Sequence, residues 1–257
     1  MDFLKANLVN TTTQIAVNSN TTTISNLFNR DKLYQYSSDQ LNNDLTSAAI
    51  TITFDATTPV SRIALVDTNF KDFSLFYNGS TTSTFALTSG DTTASIYTGN
   101  ADEHKYFQFA TVQCSSITIN AKKTITANQE KRLGLLIITD LDLEMTLIPS
   151  AKKYKPSKIP KQIVHKLSDG GSRLHNVSSK WSLDFSLDYV STEQRDSLFD
   201  IYEAGLPFNF CPFGTTTAWD GTIIESVWDG PFDFYQYSDD AATSGFSGKV
   251  SLLETPF

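Results

Sequence analysis

Between Lys180 and Val190 the chain alternates without interruption, Trp181, Leu183, Phe185, Leu187 and Tyr189 interleaved with Ser182, Asp184, Ser186 and Asp188. A period of two sends the first set to one side of an extended strand and the second set to the other. One dry and one wetted face is the habit of an antiparallel sheet. The residues after Val190 narrow the choice further. Ser191-Thr192-Glu193-Gln194 is a capping box, in which the Ser191 hydroxyl accepts from the Gln194 amide and the Gln194 side chain reaches back. The spacing predicts a helix to Ala204, with Leu198, Phe199, Ile201 and Tyr202 inward and Gly205 as its stop. Short aromatic strands are expected after it at Phe208–Pro212, Thr222–Trp228, Phe232–Tyr237 and Lys249–Leu253.

The first part of the chain is also strand-rich. Strands are expected at Ile50–Phe54, Val60–Val66, Phe73–Tyr77, Ser95–Tyr97, Tyr106–Phe109, Ser116–Asn120 and Gly134–Met145. Turn signals at Asp55–Pro59, Asn78-Gly79, Ser89-Gly90-Asp91 and Gly99-Asn100 separate them. Many short strands at this spacing imply a sandwich or barrel of antiparallel sheets. The fold class read from the sequence is therefore all-β with one short helix.

Pro149, Pro156 and Pro160, interleaved with lysines, mark the expected connector. The domains expected are 1–148, a linker at 149–160 and 161–257. Beyond the linker, Gln162–Leu167 and Ser172–Val177 flank Asp169-Gly170-Gly171, a hairpin signal because glycine supplies the positive φ of such turns.

A net charge of −8 argues against general nucleic-acid binding, which needs a basic face. Charged residues are only 19% of the 257, so Ser, Thr and Asn carry much of the polar surface. The exception is the stretch holding Lys152, Lys153, Lys155, Lys158, Lys161, Lys166, Arg173 and Lys180 against the single acid Asp169. It reads either as a solvated linker and hairpin or as a docking surface for an acidic neighbour, another copy of this chain included.

Cys114 and Cys211 lie far apart and form no Cys-x-x-Cys pair, so both are expected reduced and partly buried. The start Met-Asp-Phe-Leu-Lys has no apolar stretch of signal-peptide length, and no run reaches membrane-span length. Synthesis in a cytoplasm is expected. The sequons at Asn10, Asn20, Asn78 and Asn176 are then chance products of a Thr- and Asn-rich chain.

Candidate chemistry is sparse. His165 and His175 sit on opposite arms of the expected hairpin, but no further zinc ligand accompanies them. His104 lies beside Asp102 and Glu103 without an activated nucleophile. Asp220 and Asp229 stand in two Trp-Asp-Gly tripeptides; paired carboxylates beside tryptophan suit glycoside hydrolysis, yet Asp-Gly is ordinary turn chemistry. No phosphate-binding glycine loop or nucleophile elbow is present in the sequence. No enzyme, metal or cofactor is expected. Aromatics near turns (Tyr34, Tyr36, Phe70, Phe73, Tyr97, Tyr106 and Phe107) either plug the ends of the sandwich or stack on sugar rings. Tyr34, Tyr36, Phe70 and Tyr97 are the candidate glycan contacts. Lys161, His165, Lys166, Arg173 and His175 are the candidate oligomer-interface hairpin.

Two family resemblances rest on these residues. Asn26-Leu27-Phe28-Asn29-Arg30-Asp31 with Tyr34 and Tyr36, Ala49–Asp55, Pro59–Leu65, Ser116–Ile119 and Gly134–Ile138 together resemble the discoidin, or factor 5/8 type C, family of galactose-binding-like jelly rolls. The family's usual buried tryptophan is replaced by Tyr34 or Tyr36, and its terminal disulfide is missing. This resemblance implies ligand binding by loops at one end, often to carbohydrate or lipid. The basic hairpin, the Trp181–Val190 strand, the capped helix and Pro207–Pro212 look like the ring-forming β domain of bacteriophage tail-tube and distal-tail (baseplate) proteins. That implies a homo-oligomeric ring, usually hexameric, in a virion tail, with other tail proteins and host surface polysaccharide as partners. The wet face of Ser182, Asp184, Ser186 and Asp188 becomes a candidate channel or neighbour surface. In distal-tail proteins the ring domain usually comes first, whereas here it comes second. The alternative is a soluble carbohydrate-binding protein with an accessory β domain.

Overall fold

The computed structural model describes residues 1–31, 33–39, 42–79, 96–145, 154–166, 171–213, 219–236 and 245–255, with only the backbone of 161 and 175–178. In chain order the strands are β1 (Asp2–Leu4), β2 (Ile15–Val17), β3 (Tyr36–Ser37), β4 (Ala48–Thr68), β5 (Phe70–Tyr77), β6 (Ile96–Tyr97), β7 (Lys105–Thr124), β8 (Arg132–Thr139) and β9 (Leu141–Glu144). They continue as β10 (Lys155–Lys166), β11 (Ser172–Val190), β12 (Phe208–Cys211), β13 (Ile224–Trp228), β14 (Asp233–Gln236) and β15 (Phe246–Glu254). One α-helix, α1 (Thr192–Ala204), and short 3-10 turns at Thr12–Gln14 and Thr21–Leu27 complete the described elements. The protein is mostly β, built on two antiparallel sheets.

The chain folds into two compact units that are not contiguous in sequence. One comprises Asn7–Leu141 with Phe213–Thr222, here the sandwich unit; the other comprises Met1–Ala6, Asp142–Pro212 and Ile223–Phe257, here the arm unit.

The sandwich unit runs β3-β8-β4-β7-β5-β6, with β2 also on β4. Its backbone is the pair β4 and β7, 21 and 20 residues long, each of which joins two of the separate strands expected at Ile50–Phe54, Val60–Val66, Tyr106–Phe109 and Ser116–Asn120. Asp55–Pro59 is therefore not a turn. It is a break in register, where the pairing resumes at Thr58↔Cys114 after Thr53↔Ser116. An irregularity of this kind lets a long strand bend without ending, and the two halves of β4 take different outer partners, β2 at Ile50–Ile52 and β8 at Arg62–Thr68. The first half alternates buried and exposed residues, while Val60–Leu65 is buried throughout. Ile50, Ile52, Ile63, Leu65, Phe107, Ile117, Ile119, Leu136 and Ile138 share one apolar core. Cys114 lies in that core, and burial pushes its thiol up to about 11; Cys211 is likewise free and buried.

The arm unit runs β10-β11-β15-β13-β12-β1-β9, with β14 also on β15. The hairpin strand at Ser172 and the strand from Trp181 are a single element, β11. Leu183, Phe185 and Leu187 point into the core as the alternation predicts, but Tyr189 does not. Its φ of 62° and a register break between Leu187 and Val190 turn it outward, and Val190 takes the inward place. Ser191 caps α1 through the Gln194 amide in the expected box, and Gly205 ends the helix at φ 60°. Leu198 and Ile201 join the core, whereas Phe199 is exposed and Tyr202 half-buried. Residues 155–160 of the expected linker are strand: Pro156 pairs opposite Leu183 and Pro160 opposite Ser179. Proline fits because β10 is the edge of the sheet, where a missing N–H leaves no ladder bond unmade.

Candidate binding surfaces

The four candidate glycan contacts have different fates. Tyr36 is fully buried; its hydroxyl donates to the Ser19 carbonyl at 2.9 Å, and burial pushes its pKa up to about 12. Phe70 is buried against Phe73, and Tyr97 stacks on Phe73 with ring centroids 4.8 Å apart. These three fill the sandwich rather than face a ligand, because β3, β5 and β6 carry them into the core. Tyr34 alone of the four keeps its ring outside, at 54% exposure.

The loop bearing Tyr34 is held by its own polar residues. The Asn29 carboxamide accepts from the Asp31 N–H, the Asp31 carboxylate from the Leu33 N–H, and the Asp31 carbonyl from the Tyr34 N–H. Side-chain oxygens accepting from backbone two residues on are the stuff of Asx turns, which fix a loop locally. A neighbouring loop repeats the device, with the Asn43 side chain accepting from the Leu45 and Thr46 amides. Lys131 ties this end together. Its ammonium donates to the Asn43 carbonyl, and its backbone pairs with Ser38 next to β3. Burial holds the Lys131 pKa below its ordinary value, partly offset by the Asp44 charge. Asp44 is raised by its own desolvation. Hydrogen bonds from the Thr124 and Asn128 amides and the Thr124 hydroxyl, with Lys131, outweigh this and hold it below the ordinary carboxylate range. The surface so presented is an aromatic ring, two exposed leucines (Leu33 and Leu45) and the amides and carboxylates that shape the loops.

His104 does structural work that the sequence did not reveal. Its Nδ1 accepts from the Asp67 N–H at 3.1 Å, steadying a residue at φ 54°. Trp219 packs edge-on to His104 and tilted against Tyr106, and a Cβ on Gly221 would fall 2.8 Å from the His104 ring. Asp102 forms an ion pair with Lys105. The two Trp-Asp-Gly tripeptides fall in different units, with Gly221 and Gly230 both at positive φ as turns require. Among the described residues, no group of three or more His, Cys, Asp or Glu is placed to hold a metal ion. No described helix is long and apolar enough to cross a membrane.

In the arm unit, β10 and β11 form one long hairpin. His165 stands opposite Arg173, Ile163 opposite His175, and Val164 opposite Leu174. The two histidines are thus diagonal, not facing, in the register. His165, Lys166 and Arg173 are exposed; for Lys161 and His175 only the backbone position is described, and Asp169-Gly170 of the turn lies outside the described residues. Ile159, Ile163, Val164 and Leu174 are exposed as well. The wet face of β11 is partly occupied: Asp184 accepts from the Ser251 hydroxyl at 2.6 Å and pairs with Lys249 at 3.1 Å, and both hold its pKa low.

No family model matches the sequence, and no curated protein matches it. Solved structures do show likeness. The chain is similar to chitosan-binding module 1 of a chitosanase/glucanase from Paenibacillus sp. IK-5, with a TM-score of 0.37 and 13% identity over 48% of this chain and 92% of that one. It is similar to the Clostridium perfringens module CpGH89CBM32-5, solved with GalNAc-β-1,3-galactose, with a TM-score of 0.37 and 7% identity over 52% and 99% of the two chains. It is also similar to a pectin-binding carbohydrate-binding module, with a TM-score of 0.34 and 16% identity over 48% and 87%.

Proposed function

We propose that this chain works by binding rather than by catalysis, and that its sandwich unit takes carbohydrate at the loop end carrying Tyr34. The exposed Tyr34 ring on a loop locked by Asx turns carries this reading. An aromatic face held in place loses little freedom when it stacks on the apolar face of a sugar ring, and the surrounding amides and carboxylates suit hydroxyl groups. Glycan arrays probed with the full chain, then calorimetry on the best hit, test it. Tyr34→Ala is expected to weaken binding about tenfold or more, which is about 1.4 kcal/mol. A chain that binds no glycan, or whose binding ignores this substitution, overturns the reading.

The exposed hairpin favours a second reading, a ring-forming subunit of a phage tail tip or baseplate that contacts other tail proteins. Residues 162–166 and 172–174, the described residues beside its turn, are all exposed and include Lys166 and Arg173, which suits assembly better than ligand capture. Electron microscopy of the purified chain decides this reading. Closed rings support it and a monomer at every concentration removes it.

A further inference from the structure

The outward face of the arm sheet carries two tyrosines that its core does not use. Side chains directly opposite each other on an antiparallel pair share a face. Leu183, Phe185 and Leu187 of β11 stand opposite Leu252, Val250 and Gly248 of β15 and face the core. Ser186 and Lys249, opposite each other one residue along, therefore face outward, as does Ser247. β14 runs along the other edge of β15, with Asp233 opposite Lys249 and Tyr235 opposite Ser247, so both belong to this outward face.

On β11 the same row is completed by a bulge. Leu187 pairs with Gly248 and Val190 with Phe246, so Asp188 and Tyr189 together stand against the single residue Ser247. A bulge of this kind re-aims a side chain. Tyr189 enters it at φ 62°, a region that bulky residues seldom adopt and adopt at a cost. The outcome is a ring held out in water: Tyr189 is 72% exposed and Tyr235, across the row, 62%.

Two interstrand steps separate the backbones of these tyrosines, about 10 Å in all. Ser247 lies between them, and the next row across the same three strands offers a hydroxyl, an ammonium and a carboxylate from Ser186, Lys249 and Asp233. Aromatic faces stack on the C–H faces of pyranose rings, and the polar row suits their hydroxyl groups. The separation is close to one disaccharide repeat of an extended β-1,4-linked chain, in which every second ring turns the same face to the surface. Charge narrows the ligand further. Asp188 and Asp233 border the row, and Lys249 is engaged by Asp184 at 3.1 Å, a balance that repels uronates and sulfates and suits an uncharged chain.

The geometry points to a saccharide-binding surface on the arm unit that takes an uncharged, extended β-linked polysaccharide. One pyranose lies on Tyr189 and the next but one on Tyr235. This surface belongs to a different unit from the Tyr34 loop and does not rest on the reading of that loop.

The test uses the full chain carrying Tyr34→Ala, so that the sandwich loop cannot supply the binding, titrated calorimetrically with cellohexaose and with chitohexaose. At least one is expected to bind. Its disaccharide reaches only one ring and should bind about tenfold or more weakly. Added Tyr189→Gly or Tyr235→Ala should each weaken the hexasaccharide about tenfold or more, whereas Tyr189→Phe, which keeps the ring, should retain it. Glycine adopts φ 62° freely, so Tyr189→Gly should keep or raise the melting temperature while it loses binding, which separates loss of the ring from damage to the fold. A hyaluronan hexasaccharide, which carries carboxylates, should bind at least about tenfold more weakly than the neutral chain. The inference is overturned if neither neutral hexasaccharide binds, if the disaccharide binds as tightly as the hexasaccharide, or if the anionic chain binds as well. Unchanged binding by Tyr189→Gly or by Tyr235→Ala overturns it too.

Discussion

The molecule contains two long antiparallel pairs, and they are put to opposite uses. In the sandwich unit β4 and β7 run side by side for most of their length and their apolar residues disappear into a core. In the arm unit β10 and β11 are of similar build, again with a register break part-way, yet on the hairpin side of Lys180 the described residues of the ribbon face water. Both pairs are antiparallel and interrupted by a register break; what differs is the side-chain pattern. Ile50-Thr51-Ile52-Thr53-Phe54 offers a continuous apolar face, whereas Lys155-Pro156-Ser157-Lys158-Ile159-Pro160-Lys161 breaks any such face with proline and charge. A paired backbone is enough to make a strand. Only a one-sided run of apolar residues makes it a wall of a core.

This contrast can be broken at several points. The largest effect is expected from Ile63→Ala in β4, where a fully buried side chain leaves a cavity; chemical denaturation should show a loss of about 2–5 kcal/mol. Ser191→Ala, which removes the cap where β11 passes into α1, should cost about 1 kcal/mol in the same measurement. Asp72 gives a smaller, pH-dependent effect. Its carboxylate is held below the ordinary range by the Lys123 ammonium at 2.7 Å and the Gly99 N–H at 2.9 Å, while burial opposes the shift. A depressed carboxyl stabilises the fold above its unfolded pKa, and that contribution fades as pH falls through the folded value. Melting temperatures of wild type and Asp72→Asn should therefore differ near neutrality and converge in acid. The smallest effect belongs to the arm: Val164→Ala should change the stability of the monomer by no more than about 0.5 kcal/mol. A large loss there would mean that the ribbon is covered within its own copy.

The strands, the capped helix and its glycine stop were legible because each rests on local pattern. Three kinds of feature were not. Register breaks hide in sequence as turns: Asp55–Pro59 looks like a loop, and breaks around Phe70, Asp72 and Phe73 blur the alternation that would have marked Phe70 as core. Prolines signal a linker unless the strand is known to be an edge, and edges are a property of the whole sheet. Long-range placement is the third. Nothing near Trp219 announces that it packs on His104, or that Tyr34 stays outside while Tyr36, two residues on, is swallowed. The same gap let Phe199 pass as core, since helical spacing gives a face but not what covers it.

The position of β1 bears on how the molecule is made. Phe3 pairs opposite Phe210 and β1 borders β9 on its other side, so β1 can meet β9 once Glu144 has been made but gains its second neighbour only when the residues around 210 have left the ribosome. The ladder of the sandwich unit, by contrast, has all of its strands by Thr139. Vectorial synthesis thus lets the sandwich unit complete its ladder while the sheet of the arm unit still lacks β10 to β15.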